Sequence, residues 1–200
     1  MAKDIKQVIP LWIKLAYTLF VAVTVAVYAV KWGPGNFLWF SDIALIGTVP
    51  ALWLESGLLA GMMTLAILLP EILWNLSFFV QLATRRRVSG LTDYMFDRSK
   101  PLYLRALSLF HVFLPVLLVW MISRLGYERR ALVAQTILAW VVLPLSYWLT
   151  KPEDNVNWVR GFNNGLQKHV HQTAYLGLLM IGFPVLIYLP THFLLMTMFK

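Results

Sequence analysis

The stretch Gly57–Leu82, GLLAGMMTLAILLPEILWNLSFFVQL, decides how the rest of the chain is read. It runs for 26 residues with a single ionisable side chain, Glu71. A helix needs about 20 mostly apolar residues to cross a bilayer's hydrocarbon layer. Lipid cannot satisfy open backbone groups, and the alternation of a barrel strand is absent, so the stretch is read as a spanning helix.

Five further segments repeat the pattern outward from it. They are Leu11–Val30, Asn36–Leu54, Leu102–Arg124, Ala131–Leu149 and Thr173–His192. The expectation is an all-α polytopic integral membrane protein with six transmembrane helices, residues 1–200 forming one domain. Composition agrees. The chain is 60% apolar and 13% charged, with a mean hydropathy of +0.69. Soluble domains are about 45–50% apolar and about 25% charged, so this chain lacks the polar surface to coat a water-soluble globule. The first apolar run exceeds a signal peptide's hydrophobic region and is read as a retained helix.

The formal charge of +8 raises nucleic acid as a partner, but the basic residues lie between apolar runs. That placement suits anionic headgroups and topology, so lipid is the expected partner and nucleic acid is not. With no cysteine, disulfides, thiolate metal sites and cysteine nucleophiles are excluded. Glu55–Ser56 is a tight hairpin, whereas Ala83–Pro101 and the asparagine-rich Thr150–Gln172 are long connections. Six spans divide the Lys and Arg residues ten to seven in favour of the side holding Arg85, Arg86 and Arg87, predicting that side to be cytoplasmic. The arginine trio is a candidate headgroup platform. Trp12, Trp32, Trp53, Trp148 and Trp158 fall near helix ends, as an interfacial belt requires.

Ionisable groups inside the hydrocarbon layer cost about 2.5–3.5 kcal/mol each and need a reason. Here they are Asp42, Glu71 and His111, accompanied by Ser41 and Asn75. At about 1.5 Å per residue, all five fall ~8–16 Å from helix ends on the triple-arginine side. They can share one layer around one cavity. Glu71 and Asn75 are i,i+4 and occupy one helix face. Pro115 lacks the N–H that would serve the His111 carbonyl, predicting a kink there.

Ser41 with His111 supplies the residue types for a hydroxyl nucleophile and its base. Asp42 or Glu71 can orient the imidazole, and Asn75 can assist at an oxyanion. The same atoms also suit a proton relay or small carrier. A third class is an accessory subunit of a larger membrane complex, in which polar groups merely bond helices together at about 0.6 kcal/mol each. His169 and His171 have chelating spacing only in an extended segment. With His192 they are read as interfacial, and no metal or other cofactor is expected.

Two local patterns, Phe37-Leu38-Trp39-Phe40-Ser41-Asp42 and Phe110-His111-Val112-Phe113-Leu114-Pro115, resemble the androgen-induced family of intramembrane hydrolases and their bacterial six-span relatives. The likeness extends over Asn36–Arg124. It implies a nucleophile at Ser41, where the family has threonine, a base at His111, and lipid esters as substrates. It also implies a bacterial cytoplasmic (inner) membrane as the location.

Overall fold

A computed structural model describes residues 8–161 and 170–199. Lys3, Lys6, Lys168, His169 and Lys200, which entered the charge and histidine expectations, lie outside the described residues. The described chain is all-helical: α1 Leu11–Lys31, α2 Phe40–Trp53, α3 Gly57–Thr84, α4 Asp93–Phe96, α5 Leu102–Leu107, α6 Phe110–Leu125, α7 Ala131–Leu149, α8 Gln172–Gly182 and α9 Leu189–Met198. Short 3-10 turns occupy Pro34–Leu38 and Val156–Trp158, and a π-helical segment, Phe183–Tyr188, joins α8 to α9. Five helical stretches are long and apolar enough to cross a membrane, and α2 is a shorter apolar helix. The chain is a membrane-embedded all-α protein.

Helix α3 is the axis of the bundle. Its most apolar window is 61% buried, against 28% for α1, α7 and the α8–α9 stretch, so it is the one span walled in by others. It packs on α2, α6, α7 and α9. Outer helices show large apolar side chains such as Leu19, Val116, Trp140 and Leu186, the surface a lipid solvent calls for. Hydroxyls inside the spans turn back onto their own helix, with Thr24, Thr48 and Thr64 donating to the carbonyls of Phe20, Ala44 and Ala60.

Three boundaries differ from the sequence reading. The break at Gly33-Pro34-Gly35 propagates as a 3-10 turn, so α2 begins at Phe40 rather than Asn36. Ser41 and Asp42 therefore stand in its first turn instead of ~8–9 Å along it. The fourth span is interrupted at Ser108–Leu109, three residues before His111, and α6 runs through Pro115 without interruption. The last span continues past His192 to Met198 by way of the π-helical segment.

On the face opposite the arginine trio, Tyr127 Oη and His192 Nδ1 lie 2.6 Å apart and tie the α6–α7 turn to α9. His192 is buried and ties α9 to that turn. Burial pushes the Tyr127 phenol up to about 12. His171 is exposed, beside Thr173 Oγ1.

Candidate functional site

Where α2, α3 and α6 meet near their arginine-side ends, the helices leave a cavity of about 510 Å³. That size suits a small-molecule site. Ser41, Asp42, Glu71 and His111 all line it. Asn75 does not.

His111 is the most constrained of the four. Its Nδ1 lies 2.7 Å from Glu71 Oε1. Its ring stacks on Trp74 with centroids 4.7 Å apart and on Phe110 at 4.1 Å. A carboxylate oxygen accepts, so in the neutral ring the proton stands on Nδ1 and Nε2 carries the lone pair. The backbone beneath the ring is held as well. Pro115 has no N–H for the His111 carbonyl, and Asn75 Nδ2 donates to that oxygen at 2.7 Å. The same amide nitrogen donates to the Glu71 carbonyl at 2.8 Å. Asn75 thereby fastens both members of the Glu71–His111 pair. Its donors are spent on backbone, which removes it from the oxyanion role.

Asp42 is 5% exposed and its Oδ1 has no hydrogen-bond partner; Glu71 Oε2 is likewise buried and unpartnered. A carboxylate in a helix's first turn is favoured by the macrodipole, which accounts for part of the tolerance of Asp42. Ser41 is half-buried on the same wall. Its hydroxyl is hydrogen-bonded neither to His111 nor to any other described residue.

The start of α2 has no side-chain cap of its own. Asn157, buried in the α7–α8 connection, supplies one. Its Oδ1 accepts from Phe40 N at 3.1 Å, while Nδ2 donates to Leu38 O at 2.7 Å and to Ser146 Oγ at 3.1 Å. It is held in the left-handed region at φ 52°. Asn157 therefore fixes the turn that carries Ser41 and Asp42. Only the asparagine-rich composition of that connection hinted at it.

Toward the surface the cavity wall changes character. Lys100 and Arg105 line it, with Asp154 and the rings of Trp32, Trp39, Tyr94 and Trp158. Trp32 and Trp158, expected only as belt anchors, are cavity wall, and Trp158 meets Trp39 edge-on at 5.5 Å. Burial raises the pKa of the Tyr94 phenol. Arg85 and Arg86 are exposed and stand outside this cavity. Arg87 is paired with Asp93 at 2.5 Å and lines a smaller adjoining surface pocket. Among the described residues no cluster of three His, Asp or Glu side chains is disposed to hold a metal ion.

No family model, curated protein or solved structure matches the chain.

Proposed function

We propose that the protein is a lipid-directed intramembrane hydrolase or acyl-transfer enzyme in which His111 is the general base, Glu71 its orienting carboxylate and Ser41 the nucleophile. The observation that carries this reading is the 2.7 Å contact between His111 Nδ1 and Glu71 Oε1 in the wall of a cavity that Ser41 also lines. A carboxylate on Nδ1 leaves Nε2 free to take a proton, the arrangement a hydroxyl nucleophile needs. The resemblance to the androgen-induced hydrolases, with their bacterial relatives, supports the same pair and a bacterial inner membrane as its setting.

In the step we envisage, Ser41 Oγ reaches His111 and gives its proton to Nε2 as the oxygen attacks an ester carbonyl. The carbonyl oxygen gathers the negative charge. Phe40 N–H is taken by Asn157 and Ile43 N–H by the Trp39 carbonyl, which leaves the Ser41 and Asp42 N–H groups in the first turn of α2 as its donors. The carbon–oxygen bond to the leaving alcohol breaks, and that alcohol takes the proton from Nε2. Water, deprotonated by the same imidazole, then attacks the acyl carbonyl, the bond to Ser41 Oγ breaks, and Oγ takes the proton back from Nε2 as the fatty acid leaves. If another lipid alcohol takes the place of water, the outcome is transfer.

A proton relay would draw on the unpartnered oxygens of Asp42 and Glu71. Beyond Glu71, however, α3 buries Leu65, Ala66, Ile67 and Leu68, and its hydroxyl there, Thr64, is spent on Ala60 O. The hydrolase reading is favoured for that reason.

The test is hydrolysis of a lipid ester by purified protein in nanodiscs. His111→Ala and Ser41→Ala are each expected to lower kcat by on the order of 100-fold or more, the usual worth of a positioned base or its nucleophile. Glu71→Gln is expected to lower it less, because the ring stays stacked between Trp74 and Phe110. Full turnover by Ser41→Ala would end the serine mechanism.

A further inference from the structure

The cavity's polar groups are ordered by depth. Arg105 on α5 precedes His111 on α6 by six residues across the break at Ser108–Leu109, and so lies nearer the arginine-side end of the stretch. Lys100 lies further toward the surface, ahead of the α5 start at Leu102. The cations therefore occupy the surface end of the cavity, and the imidazole lies deeper. A glycerophospholipid in a bilayer has that order, with its phosphate at the surface and its acyl esters one layer below.

Neither cation is neutralised by a salt bridge among the described residues. Lys100 Nζ rests over the Trp32 ring, 4.6 Å from its centroid. Arg105 donates one N–H to Met95 O at 3.2 Å, and its Nε is buried without a partner. Asp97 feels the charge of both cations but bonds to Ser99, and neither it nor Asp154 on the cavity wall forms an ion pair with them. Buried polar groups left unpaired inside a cavity mark what its ligand supplies. Here the ligand brings acceptor oxygens to the surface end.

We infer that the ligand of this cavity is a phosphate-bearing lipid, its phosphate held by Lys100 and Arg105 while an acyl ester lies beside His111. The place of the acyl ester beside His111 rests on the hydrolase reading; the preference for a phosphate does not.

The experiment compares matched ligands in a maltoside detergent. Dihexanoyl phosphatidic acid and dihexanoylglycerol share their acyl chains and differ by the phosphate. Binding is read by quenching of the cavity tryptophans, Trp32, Trp39, Trp74 and Trp158. The phosphate-bearing lipid is expected to bind about tenfold tighter or better, the worth of one charge-assisted contact. In Lys100→Gln and in Arg105→Gln the ratio of the two affinities falls toward one, and Arg105→Lys retains most of it. Equal affinity of the two lipids for the native protein would overturn the inference, as would an unchanged ratio in a folded Lys100→Gln protein. Inorganic phosphate is the third arm. Displacement of the lipid by phosphate alone, at the lipid's own affinity, would overturn its assignment as a lipid site. A protein that prefers the phosphate-bearing lipid yet hydrolyses nothing would end the hydrolase reading and keep this inference. Hydrolysis with no preference between the two lipids would do the reverse.

Discussion

Asn75 and Pro115 are two halves of one device. The proline leaves the His111 carbonyl without its helical donor, and the asparagine from α3 supplies a replacement 2.7 Å away. Their energies are therefore coupled. Asn75→Ala is expected to destabilise the protein by about 0.6–2 kcal/mol, the range of polar ties between membrane helices. In a Pro115→Ala background, where residue 115 regains its N–H, the same change is expected to cost less than half of that. Unfolding by a sodium dodecyl sulfate titration in mixed micelles measures both arms of the cycle, and additive losses would refute the coupling. Asn157 makes a second case. An aspartate there still accepts from Phe40 N but cannot donate to Leu38 O. Asn157→Asp is expected to lose about 1–3 kcal/mol and to lower Ser41-dependent turnover with it. The two asparagines also mark what the sequence could convey. Ser41, Asp42, Glu71 and His111 stood out because ionisable and polar groups are rare in apolar runs, and four such side chains do share the cavity. Asn75 was noticed on the same ground but given a chemical part, because nothing local reveals that its donors are spent on backbone. Asn157 escaped notice because its partners Leu38 and Phe40 stand 119 and 117 residues away.

Hydropathy locates helices well because lipid permits little else, yet it is silent on how they start and break. A run of apolar residues from Asn36 looks continuous, but the 3-10 turn after Gly33 shortens α2 to 14 residues. Likewise Pro115 drew attention as the breaker of the fourth span, whereas the interruption falls at Ser108, whose Oγ is shared with Tyr28 Oη at 2.8 Å. Proline inside a membrane helix is tolerated when the freed carbonyl finds another donor. The Met180 carbonyl, which Pro184 cannot serve, accepts from Trp140 Nε1 at 2.8 Å, as the His111 carbonyl accepts from Asn75. Glycines at the other end of α3 bring it close to its neighbours. A Cβ on Gly57 would stand 2.6 Å from the Gly126 carbonyl oxygen, and one on Gly61 2.9 Å from Ala131 Cβ. Backbone cannot yield as a side-chain tip can. Gly57→Ala is expected to cost about 1–3 kcal/mol by overpacking, and Gly61→Ala somewhat less. Gly177 in α8 faces open space, so Gly177→Ala is expected to be neutral or stabilising by up to about 1 kcal/mol. Comparison of the three unfolding midpoints checks the ordering, and a Gly57→Ala protein as stable as Gly177→Ala would contradict it.

On the face away from the cavity, one carboxylate fastens the start of the chain to the bundle, beside the Tyr127–His192 tie. Glu55, in the α2–α3 hairpin at φ 48°, accepts from the amides of Val8 at 3.1 Å and Ile9 at 3.0 Å and from Lys14 Nζ at 2.8 Å. It thus fastens the segment entering α1 to the turn between the next two helices. Burial by itself would raise the pKa of Glu55, but the Lys14 and amide hydrogen bonds outweigh it and hold it below the ordinary 4.5. The sign follows from linkage. A group whose pKa is lower folded than unfolded adds stability that is complete above its unfolded value and is lost as pH falls through its folded value. The clasp is therefore intact at neutral pH, begins to weaken near 4.5 and opens below the depressed value. Opening exposes the Val8 and Ile9 amides while the α3-centred core stays packed. The protection of those two amides, taken relative to the intrinsic exchange rate at each pH, is expected to fall roughly tenfold on acidification, the loss of about one charge-assisted hydrogen bond. In Glu55→Gln that protection is expected to be lower already at pH 7 and nearly independent of pH down to about 3, since no carboxylate remains to titrate. A native protein whose Val8 and Ile9 amides respond to acid no more than those of Glu55→Gln would show that this carboxylate does not fasten the start of the chain. The cavity face provides the internal control. Its ties through Asn157 and Asn75 contain no titrating group, so the amide of Phe40 should keep its protection across the same range.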